Sequence, residues 1–297
     1  MKIIECSPFF NENLVANIHI EESMKWVDQF HITESNYSFK MGKKDFNFTP
    51  EQQYPNLYYH KMDVANLYKE NRRFIPYIDF SPDTKWHHKI YRNTAWLNEA
   101  IQRNYTLWNA DISDEDIVIL SDIDEIIDSN NADIIVDAVK KKGIVTIKLH
   151  FSIFYFNLFC QQWGGPKEYS YRIFVVKGNI LKKVFFNDSD YLRKLGERGQ
   201  LEQDVYCFPD KMGFHHSWIG DEFFVLNKLK SYAHSYNDHS SAIIENGDYS
   251  IGALRKCIAY GESIFPGTEL IVDDSIKLLD SIMEIQASNP QLFYNNI

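Results

Sequence analysis

Between Ile117 and Asp128 the chain reads IVILSDIDEIID, four aliphatic residues without a polar break and then carboxylates set among isoleucines. A wholly apolar run this short leaves neither face to water, so it predicts a strand covered on both sides, as in a parallel sheet flanked by helices. Burying Asp122, Asp124 and Glu125 in such a layer without partners would cost several kcal/mol or displace their pKa values. They belong instead at the carboxyl end of the strand, which is where open α/β sheets bind their ligands.

The rest of the first half alternates around this strand. KIIEC predicts a short strand ending in the turn SPFFNE, and a helix follows through about Trp26 with Leu14, Ile18 and Ile20 apolar. VDQFHITES predicts a second strand, ending in the polar group Glu34, Ser35, Asn36, and NLYYHKMDV a third. Ile90, Leu97, Ile101, Tyr105 and Trp108 recur near helical spacing from His87 onward. NADIIVDAVKK predicts a helix with Asn130 as its N-cap, and GIVTIKL another strand. Such alternation implies an α/β fold with a doubly wound, mostly parallel sheet. From Phe151 the pattern changes: FSIFYFNLF, YSYRIFVV, ILKKVFF and GFHHSW all read as strands, and helices close the chain over about 221–235, 250–263 and 274–287. No linker composition separates 1–150 from 151–297, so a single domain with a strand-rich second half and C-terminal helices is expected.

A net charge of −10 excludes a nucleic-acid backbone as partner, since that requires a basic face. Cys6, Cys160, Cys207 and Cys257 are far apart and form no CxxC pair, so they predict reduced thiols rather than a zinc site or disulfide framework. Neither a signal peptide nor an apolar run long enough to span a membrane is found, and a cytoplasmic protein with no integral membrane segment is expected.

In an extended segment residues i and i+2 point the same way, which aims Asp122 and Asp124 at one point and turns Ile123 into the core. Carboxylates that close repel unless a cation neutralises them, and hard oxygen donors favour Mn²⁺, Mg²⁺ or Ca²⁺. A bound cation would let an acidic protein hold a diphosphate. The plainer alternative is an acidic turn opening a helix, favoured by the helix dipole.

ILSDIDEI resembles the Asp-x-Asp segment of GT-A glycosyltransferases. The wider pattern is similar to glycosyltransferase family 17, the bisecting β-1,4-N-acetylglucosaminyltransferases that act on the β-mannose of N-glycans. Four segments carry it in order between about Cys6 and Ser235: CSPFFNENLVANIHIEESMKWVDQFHITESNYSF, DEDIVILSDIDEI, GFHHSW and NKLKSYAHS. The resemblance implies a GT-A fold with a nucleotide-binding first half and an acceptor-binding second half. It also implies a UDP-sugar donor, UDP-N-acetylglucosamine foremost, a glycan acceptor, and Mn²⁺ (or Mg²⁺) as cofactor.

The resemblance distributes roles as follows. Asp124 is the first metal ligand, with Asp122 reaching the ion through water or holding the ribose, and Glu125 supports them or simply leads into the next loop. His215 matches the family histidine and is a second ligand or a structural residue; His216 points the opposite way if this segment is a strand. Glu34 and Asn36 lie on the same rim and either touch the nucleotide or cap a turn. Arg92 and Arg103 face the diphosphate or solvent. An inverting reaction needs a carboxylate base, for which Asp221 and Glu222 are candidates. Asp221 also suits a helix cap, and the family's acidic residue falls one place later, at Phe223. Glu197, Glu202 and Asp204 are rivals. Trp163 and Trp218 stack on acceptor sugars or fill a core, and His87 and His88 belong to the surface. Two other classes compete. A nucleotidyltransferase also uses paired aspartates, but CSPFFNEN lacks the usual phosphate loop. A non-catalytic, Ca²⁺-dependent glycan-binding module would need no β/α half.

Overall fold

Alternate residues of the apolar run at 117–120 feed two different cores, which is what a strand covered on both faces requires. Ile117 and Ile119 join one buried cluster with Ala16, Ile20, Ile135 and Val139, while Val118 and Leu120 join another with Leu107, Leu181 and Leu192. The structure, a computed structural model, describes residues 1–40, 42–64, 94–161, 173–197, 205–232 and 242–295.

Along the chain, β1 (Ile3–Phe9) leads into α1 (Asn13–Ser23), β2 (Gln29–Ser35), β3 (Leu57–Met62), α2 (Thr94–Asn109) and β4 (Ile117–Leu120). Then come β5 (Glu125–Ile127), α3 (Ala132–Lys142), β6 (Ile144–Ile153), β7 (Leu158–Cys160) and β8 (Ile173–Lys177). The chain closes with α4 (Gly178–Lys183), α5 (Ser189–Glu197), β9 (Tyr206–Ser217), α6 (Glu222–Ser231), the small hairpin β10 (Ile244–Glu245) and β11 (Asp248–Tyr249), α7 (Ile251–Tyr260), β12 (Leu270–Val272) and α8 (Asp280–Gln286).

The main sheet has the order β12-β7-β6-β8-β4-β1-β2-β3, with β9 pairing both β6 and β5. β1, β2, β3 and β4 are parallel neighbours, and β6 and β9 run in the same sense; β5, β7 and β8 run against them. The expected α/β architecture is therefore present: a parallel first half continuing into a mixed, strand-rich second half with helices at the end. β1 is the switch point, because the chain goes to β2 on one side and to β4 on the other. The crevice at its carboxyl end is where such folds bind ligands.

Three local expectations change. ILKKVFF is not a strand; residues 178–183 of it and its flank form α4. Ile180, Leu181, Val184 and Phe185 all pack on the core containing Val118, a helical spacing that short apolar runs disguise. α5 was not anticipated: Asp188 accepts from the Tyr191 N–H at 2.9 Å, and Leu192, Arg193 and Lys194 are buried. The cap before α3 is Asp128, which receives the Asn130 N–H at 2.9 Å and opens a single 3₁₀ turn, rather than Asn130 itself. All four cysteines are free. Among the described residues no helix is long and apolar enough to cross a membrane.

Candidate active site

The acidic segment leaves β4 as a tight turn. The Glu125 N–H donates to the Asp122 carbonyl at 2.9 Å, and the Asp122 N–H donates back to Glu125 Oε2 at 2.9 Å. Ile123 enters the core as expected, but a turn does not alternate like a strand, and the two aspartates face different partners. Asp122 accepts from Arg103 Nε and Nη2 at 3.1 and 3.0 Å, and Arg193 Nη2 lies 2.8 Å from its second oxygen. Asp124 accepts from Lys228 Nζ at 2.8 Å and Ser217 Oγ at 3.1 Å, with His215 Nε2 3.5 Å from its other oxygen. The expectation that the i, i+2 spacing aims both aspartates at one point is thus corrected. The Asp122 oxygens are occupied by guanidinium groups, and only Asp124 faces the histidine.

Burial pushes both carboxyls up. For Asp122 the guanidiniums of Arg103 and Arg193 outweigh it, and for Asp124 the Lys228 ammonium and His215 do, so both are held below the usual carboxylate range, Asp124 well below. Burial likewise opposes the charge on Lys228, yet Asp124 and Glu12 raise its pKa above the ordinary lysine value. Glu125 is fully buried and takes both Arg193 Nη1 and Nη2, at 3.0 and 2.9 Å. Arg103 also reaches Glu99 at 2.7 Å and Asp190 at 3.3 Å, and Lys194 bonds Asp190 at 2.6 Å. Buried ions of both signs thus tie α2, α5 and the turn together.

β9 supplies the opposite wall. In β9 alternate side chains face alternate sides, so His215 and Ser217 reach Asp124 while His216 turns to Ser152 Oγ at 2.7 Å. The pairing of β5 with β9 sets Glu125 opposite His215 and Ile127 opposite Gly213. A Cβ at Gly213 would sit 2.1 Å from the Ile126 carbonyl oxygen, so only glycine lets β5 lie this close. Glycine, histidine and serine of GFHHSW therefore each have a physical reason.

Beneath the turn lies a second buried network. Glu5 accepts from His19 Nε2 and Ser121 Oγ, both at 2.9 Å, and from Ser23 Oγ at 2.6 Å. His19 Nδ1 is 3.0 Å from the Ile123 carbonyl oxygen, which only accepts. Both ring nitrogens face acceptors, which fits an imidazolium. Burial works against that charge, but Glu5 and the carbonyl raise the His19 pKa overall.

Cys6 and Pro8 of β1, Leu120 at the end of β4, Ser121 after it, and Arg103 and Arg193 line a small cleft at the switch point. Its two guanidiniums suit an anionic group. Among the described residues no three His, Cys, Asp or Glu converge as a protein-only metal cage. Mg²⁺-like ions are commonly held by one or two protein ligands plus substrate phosphates, at about 2.1 Å per ligand. The 3.5 Å between Asp124 Oδ1 and His215 Nε2 suits two neighbouring ligands of one such ion, and the Lys228 ammonium shows that Asp124 already accommodates a cation. The residues present fit a divalent ion on that footing.

The other expected residues fall elsewhere. Glu34 is fully buried and committed to Lys44, the Asn47 and Phe48 N–H groups and the Tyr59 hydroxyl, so it staples a loop. Asn36 caps the same rim, accepting from the Val64 N–H at 3.0 Å and donating to Asp63 at 3.2 Å. Asp221 accepts the Phe224 N–H at 2.8 Å as the N-cap of α6. Glu222 pairs with Arg255 at 2.8 Å; a bond to its own N–H and that arginine lower its pKa. Trp218 is 5% exposed among Phe154, Tyr232 and Phe265 and offers no face to a sugar. Arg92, Trp163, His87, His88, Glu202 and Asp204 lie outside the described residues. The residues that sequence reasoning did not single out are Glu12, His19, Arg193, Lys194, Ser217 and Lys228. Glu12, His19, Ser217 and Lys228 had a signal, as members of the segments that open with CSPFFNEN, GFHHSW and NKLKS, whereas Arg193 and Lys194 had none.

Residues 1–171 match glycosyltransferase family 17, more than half of the chain. No curated protein matches significantly. Among solved structures, residues 1–349 of TarS from S. aureus share 12% identity over 88% of this chain and 72% of that one, with a TM-score of 0.37. The same fragment in complex with UDP-GlcNAc shares 13% identity over 98% of this chain and 78% of that one, with a TM-score of 0.40.

Proposed function

The chain belongs to glycosyltransferase family 17, and on that premise we propose that it moves N-acetylglucosamine from a UDP-sugar to a hydroxyl of a glycan acceptor, with inversion and with Mn²⁺ or Mg²⁺ as cofactor. The observation that carries this reading is the meeting of Asp124 and His215 at 3.5 Å beside Lys228, next to the cleft lined by Arg103 and Arg193. In a chain of net charge −10, Arg103, Arg193 and Lys228 stand at or beside the switch-point crevice, where a sugar nucleotide's diphosphate would lie.

Displacement at the anomeric carbon leaves negative charge on the departing UDP. Arg103 and Arg193 are locked by Asp122, Glu125 and Asp190 before substrate arrives, so their charge is aimed without reorganisation during the reaction. Asp124 and His215 would hold the divalent ion, which when bound supplies Lewis-acid neutralisation of the diphosphate. The fixed β5–β9 pairing keeps those two side chains in register. The acceptor proton requires a carboxylate; with Asp221 and Glu222 committed to a cap and to Arg255, Glu197, Glu202 and Asp204 are the next to substitute.

Calorimetry with UDP, with and without Mn²⁺, on the wild type and Asp124→Ala tests the reading. Mn²⁺-dependent binding that the substitution removes is the expected result. Binding absent throughout, or indifferent to both ion and substitution, overturns it. A transfer screen over UDP-sugars then tests N-acetylglucosamine as the donor sugar.

A further inference from the structure

Lys228 has been given no role in the transferase reading beyond its place beside Asp124. Its ammonium lies 2.8 Å from Asp124 and 2.7 Å from Glu12, bridging the turn after β4 and the loop after β1. Glu12 is fixed as an acceptor, since its second oxygen takes the Asn11 N–H at 2.9 Å. α6 is fixed too: Val225 and Leu229, on either side of Lys228, are both fully buried. The side chain is the one part that rotamer changes alone can re-aim, being a flexible four-carbon stem that ends in a point charge. An ammonium and a divalent ion on one carboxylate repel across a few ångströms of shielded space.

We propose that Lys228 competes with the divalent ion for Asp124: it neutralises Asp124 and Glu12 in the ion-free protein, yields Asp124 when the ion binds, and then contacts the diphosphate of the donor. This deepens the transferase reading and rests on it. The arrangement keeps the buried carboxylates paired at every stage, which avoids the cost of an uncompensated buried charge.

The signature is a pair of effects with opposite signs. Lys228→Met keeps the stem and drops the charge. Titrated with Mn²⁺ alone, it should bind the ion about tenfold more tightly than wild type. Titrated with UDP at saturating Mn²⁺, it should bind the nucleotide about tenfold more weakly. Lys228→Arg, which keeps the charge, should move toward wild type in both. General loosening of the site would weaken both affinities together, and that result overturns the proposal, as does unchanged Mn²⁺ affinity. If Lys228→Met does not fold, the wild type supplies the measurement. The rate at which an amine-acylating reagent labels Lys228, read by mass spectrometry, should rise when Mn²⁺ is added. A rate that ignores bound Mn²⁺ overturns the proposal equally. A wild type that binds UDP with Mn²⁺ while these tests fail rejects the competition and spares the transferase reading; a wild type that binds neither rejects both.

Discussion

Replacing His19 by leucine removes the ion pair that supports the acidic turn from below. The imidazole meets Glu5 at 2.9 Å and the Ile123 carbonyl at 3.0 Å, with His19 0% and Glu5 1% exposed. Losing the charged hydrogen bond costs about 1.5–3 kcal/mol and the neutral one about 1 kcal/mol. Glu5 is then a buried carboxylate with only the Ser23 and Ser121 hydroxyls as donors. With that uncompensated charge added to the roughly 2.5–4 kcal/mol from the two bonds, about 4 kcal/mol is expected, inside the roughly 3–5 kcal/mol typical of breaking a buried pair. Glu5→Met should cost a similar amount. The double variant Glu5→Met/His19→Leu, an apolar pair of comparable volume, should cost less than either single change. Urea unfolding followed by tryptophan fluorescence at about pH 6 measures all three against wild type. A double variant whose cost equals the sum of the singles would refute the pairing. pH adds a signed check. The folded-state pKa of His19 is raised above its ordinary 6.5. Its contribution is therefore complete below that value and is lost as pH climbs through the folded one. The gap between wild type and His19→Leu should shrink accordingly on going from about pH 6 to about pH 9.

Gly213→Ala should cost about 1–3 kcal/mol by overpacking β5 against β9, and by moving Asp124 from His215 it should weaken Mn²⁺-dependent UDP binding; a thermal melt and calorimetry read the two effects. Glu34→Gln should lower stability by about 1–3 kcal/mol through its weakened loop bonds and leave UDP affinity unchanged, whereas a large loss of affinity would restore Glu34 to the nucleotide site. Asp122 and Asp124 have lowered folded-state pKa values against an ordinary 3.8, so their contribution is present above that value and lost as pH falls through the folded ones. A urea midpoint that stays flat below about pH 4 would contradict their ion pairs.

What the sequence made legible is whatever repeats with a short period. The apolar run at Ile117–Leu120 announced a strand buried on both faces, and its alternate residues do feed two cores. In GFHHSW the alternation separated His215 from His216, and the structure sends them to Asp124 and Ser152 respectively. Where one short run satisfied two periods, the reading failed: Ile180, Leu181, Val184 and Phe185 fit a strand as written and pack as a helix. Asp122 and Asp124 failed for a related reason, since the bond from the Glu125 N–H to the Asp122 carbonyl turns the backbone and cancels the i, i+2 rule.

The partners of those aspartates were hidden by a different cause. Arg193 stands 68 residues from Glu125, and Lys228 stands 104 from Asp124. No periodicity links such pairs, and any lysine or arginine on a helix reads equally well as a solvated charge. What singles out these two is burial, which depends on how α5 and α6 pack. An acidic chain that buries its cations against an acidic turn does so at a desolvation cost that ordinary stability does not demand. On the proposed function the cluster has a physical sense in the crevice it faces: its positive charge would be assembled in advance of an anionic ligand, with its carboxylates keeping that charge tolerable until the ligand arrives.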